Sequence, residues 1–175
     1  HPGEDDIPSL VLLPQAAEAL EIPVAGCGGF SDAKSLVAAL ALGGEAIVMG
    51  TRFMATKEAG IHQNVKDIMT EADERSTNLM FRTMHNTARV FKNSISDQVV
   101  EIESTGTAKF EDVKDLVAGQ RGRVVFEKGD MEYGIWSAGI SVARVKDIPT
   151  CDEMVSRLVS DAEDIIDGRL QKLKA

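Results

Sequence analysis

Long apolar runs are missing from this chain. No stretch approaches the ~20 residues needed to cross a bilayer, and no basic region followed by an apolar one opens it. Neither a membrane span nor a secretory leader is expected, so the expected location is the cytoplasm. Cysteine is scarce too. Cys27 and Cys151 are too few for a disulfide framework and match no zinc spacing, so no metal site is expected. Positive charge is also short: 19 Lys and Arg face 28 Asp and Glu, a net charge of −9, and none of the basic residues precedes Lys34. That balance argues against nucleic acid or an anionic membrane surface as a partner. No methionine stands before His1-Pro2-Gly3, which leaves either a processed terminus or the back portion of a longer chain.

What is present is the composition of an ordinary folded protein. The 175 residues are 43% hydrophobic and 27% charged, enough for a sizeable core. Leu10, Leu13, Ala17 and Leu20 recur at helical spacing, with Pro14 expected to kink or divide that helix. A short apolar run, Ile22-Pro23-Val24-Ala25-Gly26, then predicts a buried strand. Ser31-Asp32 opens a helix carrying Leu36, Val37, Leu40 and Ala41 on one face, stopped by Gly43-Gly44. A second buried strand follows at Ala46-Ile47-Val48-Met49. Residues 22–50 therefore form a βαβ unit, whose crossover implies parallel strands.

Beyond residue 56 the pattern turns helical: 58–72, 97–103, 110–117, 135–145 and a long final helix over 151–173. In that last helix Met154, Leu158, Val159, Ala162, Ile165 and Ile166 are expected to face inward. Residues 78–90 are ambiguous, and 123–126 suit a short extended piece. No internal repeat or low-complexity tract is visible.

Two glycine loops carry the chemistry. Gly26-Cys27-Gly28-Gly29-Phe30-Ser31-Asp32 joins a strand to a helix start, where glycines admit close backbone approach and unpaired N–H groups attract an anion. It is neither the dinucleotide fingerprint, since Ser31 stands at the third glycine position, nor a Walker loop, since it has no lysine. A tight βα turn with no ligand fits it equally well. The second loop, Met49-Gly50-Thr51-Arg52-Phe53, ends the next parallel strand, so both loops open on one sheet edge. Amides of Gly28, Gly29, Gly50 and Thr51, with the Thr51 hydroxyl, can clamp one phosphate there, as after strands seven and eight of (β/α)₈ barrels.

Gly-Gly-Phe-Ser-Asp, then Leu-Val-Ala-Ala-Leu-Ala-Leu-Gly, then Met-Gly-Thr-Arg-Phe resembles the nitronate monooxygenase (2-nitropropane dioxygenase-like) flavoproteins. The opening His-Pro-Gly-Glu-Asp-Asp and the later Ala-Arg-Val-Phe-Lys-Asn-Ser are similar to one bacterial branch of that group. The resemblance implies an α/β fold: the carboxyl-terminal part of a (β/α)₈ TIM barrel with FMN phosphate loops in residues 1–56, followed by a mostly helical extension over 57–175. It implies FMN as cofactor, held at Gly28, Gly29, Met49, Gly50 and Thr51. It places His1 where the family carries a catalytic base, which removes the proton α to a nitro group while the flavin takes electrons and dioxygen reoxidises it. The expected partners are a small-molecule substrate, a nitronate or an enoyl thioester, with O₂ or a nicotinamide as redox partner; a homo-oligomer is compatible with this.

A flavin-dependent enoyl-acyl-carrier-protein reductase is the nearest alternative activity. A non-catalytic fragment or phosphate-binding module is another, and an inosine-monophosphate dehydrogenase-like barrel lacks its catalytic cysteine loop here. His62 and His85 are each isolated and read as solvent-facing or structural. Arg52 suits either a phosphate or an acidic neighbour. Trp136 suits a packed aromatic better than a pocket border, and Cys27 carries no redox role.

Overall fold

The computed structural model describes residues 6–174. Helix α1 (Ser9–Ala19) starts after Pro8 and runs through Pro14 as one element. Pro14 removes one backbone donor without dividing the helix, which Leu13 anchors against Phe30 and Ala39. Strand β1 (Ala25–Cys27) leads into α2 (Ala33–Ala41), which Asp32 caps: its side chain accepts from the Ser35 amide, while Ser35 reaches back to the Asp32 amide. Gly43, at φ +87°, ends α2; its N–H donates to Leu40 O and that of Gly44 to Ala39 O, a Schellman turn. Strand β2 (Ala46–Val48) then pairs with β1 in parallel, Ala25 opposite Ala46 and Cys27 opposite Val48. The expected βαβ unit is therefore present.

Its burial differs from expectation. Gly26 is buried under α1, where a Cβ would stand 2.8 Å from the Phe30 ring. Ala25, Cys27, Ala46 and Val48 point to the other face and are exposed. A strand alternates its side chains, and among the described residues no second layer covers that face. Of the face expected on α2, Val37 is buried and Leu36 partly so, while Leu40 and Ala41 are exposed and Ala33 and Ala39 are buried in their place.

The rest of the chain is helical around one antiparallel hairpin. Short α3 (Thr51–Met54) and α4 (Gln63–Glu71) come first. The helix expected over 58–72 starts only at Gln63, because His62 caps it, its Nδ1 accepting from the Asn64 amide at 3.2 Å. The ambiguous 78–90 region resolves into β3 (Thr77–Met80) and β4 (Ala88–Phe91), paired Thr77 to Phe91 through Met80 to Ala88. Their short alternation, broken by a loop with Phe81 and His85 at positive φ, hides a strand signal from sequence. Helices α5 (Ser94–Glu103) and α6 (Phe110–Val113) pack on this hairpin through Met80, Val90, Val99 and Val113.

Residues 123–126, expected to be extended, lie inside α7 (Gly119–Lys128), where Val125 is fully buried. The 135–145 helix is also corrected. Ser137 bridges to Val90, and only Ile140–Arg144 turn, as a 3₁₀ helix. Finally α8 (Cys151–Asp164) continues as a π-helical stretch, Ile165–Leu170, and a 3₁₀ turn, Gln171–Leu173. Of its predicted inward face, Met154 and Ala162 are buried and Leu158 and Ile165 partly so; Val159 and Ile166 are exposed because the helix touches α2 along a narrow seam at Ala33, Val37 and Ala162. The largest core gathers Ala55, Val65, Met69, Phe91, Val125, Trp136, Val142 and Val145, beneath the second glycine loop.

Candidate functional site

Both glycine loops lie at the carboxyl edge of the parallel pair. The parallel pairing ends at Cys27 opposite Val48, and Gly28-Gly29 and Met49-Gly50 follow directly on the two strands. Gly28 and Gly29 have φ of +88° and +85°, a conformation that disfavours any side chain. A Cβ at either, or at Gly50, would project into open space. The amides of Gly28, Gly29 and Gly50 find no acceptor among the described residues. Unpaired backbone donors beside open space are what an anionic oxygen needs. Ser31 adds to them: it is 5% exposed, and its hydroxyl oxygen has no hydrogen-bond partner. This donor set fits a phosphate group.

The first turn of α2 is less open than its sequence implies. The amides of Ser31 and Asp32 both donate to the Ser35 hydroxyl, at 2.9 and 3.0 Å, so they are spent internally. In the second loop, the Thr51 hydroxyl oxygen accepts from the Gly139 amide at 2.8 Å. Its own proton remains available to donate. Met49 is half-buried and follows the last residue of β2.

Arg52 takes the acidic neighbour. It is buried, and its guanidinium donates to Asp147 Oδ1 at 2.7 Å and to the Asp147 carbonyl at 3.1 Å. Burial lowers its pKa, against the opposing charge of Asp147. Asp147 also accepts from Arg157 at 2.7 Å, and these two arginines hold its carboxyl below the usual range despite partial burial. On the first loop, Arg144 donates twice to Asp32 Oδ2, at 3.1 and 2.6 Å. Burial works against the Asp32 carboxylate, but the bonds from Arg144 and Ser35 outweigh it and its pKa is lowered. A cleft of about 290 Å³ lies among these groups, lined by Ser31, Asp32, Arg52, Arg144, Asp147 and Arg157.

Sequence reasoning missed the partners Gly139, Arg144 and Asp147. They stand some hundred positions from the loops they touch, and no local pattern announces a contact at that separation. His1 lies outside the described residues. Cys27 is exposed, on the uncovered face of β1. His62 packs against Gly129, where a Cβ would stand less than 2.5 Å from its ring, and serves α4 as a cap. His85 is exposed in the hairpin loop. Trp136 is a packed aromatic, stacked on Phe91 with centroids 4.5 Å apart and its Nε1 buried without a partner. Among the described residues no helix is long and apolar enough to cross a membrane, and no group of three or more His, Cys, Asp or Glu stands together to hold a metal ion.

With this geometry in hand, comparison with known proteins is informative. A family model described as nitronate monooxygenase matches residues 1–161. An octahydro-indene-4-carboxyl-CoA dehydrogenase of Rhodococcus jostii is 26% identical over 200 residues, covering 93% of this chain and 56% of that protein. A probable nitronate monooxygenase of Bacillus subtilis is 26% identical over 159 residues, covering 91% of this chain and 45% of its own length. Among solved structures, FabK from Thermotoga maritima superposes with a TM-score of 0.88 at 25% identity, over 95% of this chain and 52% of that one. A nitroalkane oxidase from Streptomyces ansochromogenes gives 0.72 at 26% identity, over 92% of this chain and 45% of that one. The chain thus spans about half the length of the relatives it matches. Its mixed α/β architecture is shared with these solved structures, and the chain belongs to the nitronate monooxygenase family.

Proposed function

We propose that this chain carries the phosphate end of an FMN site in an oxidoreductase that oxidises small nitronates with O₂. Residues 1–56 correspond, in this reading, to the last βα units of a (β/α)₈ barrel, and residues 57–175 pack on them. The observation that carries it is the pair of glycine loops at one edge of the parallel strands, with the Gly28, Gly29 and Gly50 amides unbonded among the described residues. Gly28, Gly29, Met49, Gly50 and Thr51 hold the phosphate, through backbone N–H groups and the Thr51 hydroxyl proton. FMN, when bound, supplies the electron acceptor and passes the electrons to dioxygen. His1, by its place in the family motif, acts as the base when the neutral nitroalkane is bound: a neutral imidazole takes the proton from the carbon bearing the nitro group and leaves the nitronate.

The test is flavin binding by the purified chain. It should take up FMN in preference to riboflavin, which lacks the phosphate. Gly29→Val, forced to φ +85° and filling the open space, should cost at least about tenfold in FMN affinity, the worth of one charge-assisted hydrogen bond. A colourless chain that binds neither flavin would overturn the reading in favour of a non-catalytic module.

A second reading is favoured by the Rhodococcus relative, whose name prints a CoA thioester and which covers 93% of this chain. A thioester-directed enzyme of the same fold would use a nicotinamide as its redox partner. Anaerobic mixing separates the two: bleaching of bound flavin by a nicotinamide but not by a nitronate would support the thioester enzyme and exclude the monooxygenase.

A further inference from the structure

Residues 139–147 touch both glycine loops. The Gly139 amide donates to the Thr51 hydroxyl oxygen at 2.8 Å, and Asp147 receives Arg52, so this segment ties the second loop at two points. Arg144, between them, forks onto Asp32 and ties the first loop. The segment is itself held rigidly, because Val142 and Val145 are fully buried in the main core. Gly139 favours the close approach: a Cβ there would stand 3.3 Å from the Thr51 hydroxyl oxygen, which would have to give by a few tenths of an ångström.

We propose that residues 139–147 are a brace that sets the spacing between the two loops, making Arg144 a positioning residue for the phosphate-bearing cofactor. The inference rests on the reading that the loops hold a flavin phosphate. The parallel strands β1 and β2 are three residues long, too short a pair to fix by themselves the loops beyond them. Asp32 joins the brace to the site directly. One of its oxygens caps the Ser35 amide while the other takes Arg144, so a shift of the brace moves the start of α2 and the glycines before it. Arg144 touches no phosphate in this scheme. It acts through Asp32.

Arg144→Met tests this in the full 175-residue chain. The side chain is largely exposed and, among the described residues, bonds only to Asp32, so the variant should fold with its unfolding midpoint, read by circular dichroism, lowered no further than the loss of one exposed ion pair allows. Amide hydrogen exchange over residues 27–33 should quicken about threefold to fivefold, the range an exposed ion pair supplies, while β3 and β4 exchange as before. The ratio of FMN to riboflavin affinity, from flavin fluorescence quenching, should fall by a similar factor, and Arg144→Lys should restore part of it. Unchanged exchange in Arg144→Met would overturn the brace. Faster exchange with an unchanged affinity ratio would overturn the positioning role and leave the glycine-loop reading standing. A wild-type chain that shows no preference for FMN over riboflavin would overturn the loop reading, and the positioning role with it.

Discussion

Arg52 illustrates how a charged residue within a glycine loop can be taken up by a partner inside the protein. Its guanidinium is buried, and a buried cation persists only when paired. Asp147 pairs it, and Arg157 balances the remaining carboxylate oxygen. The pH dependence follows from the carboxylates. Asp147 and Asp32 both bind protons less readily in the folded chain than in the unfolded one, so they stabilise it fully above the ordinary aspartate value. That contribution is lost as pH falls through their lower folded values. The urea midpoint should therefore hold between about pH 5 and 7 and drop below about pH 4, and Asp147→Asn should flatten the acid limb. An acid limb identical in the variant would show that other carboxylates control it.

At the scale of elements, capping residues determine where helices begin. Asn93 is the strongest case. Its side chain accepts from the Ser96 amide to start α5, and its Nδ2 donates to the carbonyls of Met131 and Gly134, at 2.7 and 2.8 Å. One buried amide thus joins the hairpin, α5 and the loop before Trp136. Asn93→Ala should cost about 2–4 kcal/mol in urea unfolding, a lost cap plus two buried carbonyls left unpaired. A loss under about 1 kcal/mol would mean that water replaces it there. The capping of α2 by Asp32 was legible in sequence, since Ser-Asp before an apolar periodic run is a start signal. The hairpin was not. Thr77–Met80 and Ala88–Phe91 are four residues each, too short for periodicity to separate strand from loop, and their identity as strands depends on pairing with each other.

For the molecule as a whole, β1 and β2 present a face that no described residue covers. Val48 there is 52% exposed, and on α1 Leu10 is 70% exposed. Apolar area in contact with water binds an apolar fluorescent dye, and Val48→Lys with Leu10→Lys should lower that binding clearly while leaving the unfolding midpoint within about 0.5 kcal/mol, as for surface substitutions. Dye fluorescence unchanged in the double variant would locate the apolar surface elsewhere.

The glycine loops, the βαβ unit between them and the family they belong to were all readable from the chain itself. They rest on interactions within a few residues: glycines that permit positive φ, an aspartate that caps the helix it precedes, apolar runs bounded by turns. Which strand and helix faces are buried, what Arg52 pairs with, and how Gly139, Arg144 and Asp147 reach the two loops were decided only in three dimensions. Those contacts join residues about ninety to a hundred and twelve positions apart. A partner at that distance leaves no trace in local spacing, because it is the burial of Val142 and Val145 in the main core and the packing of α8 on α2 that bring the groups together.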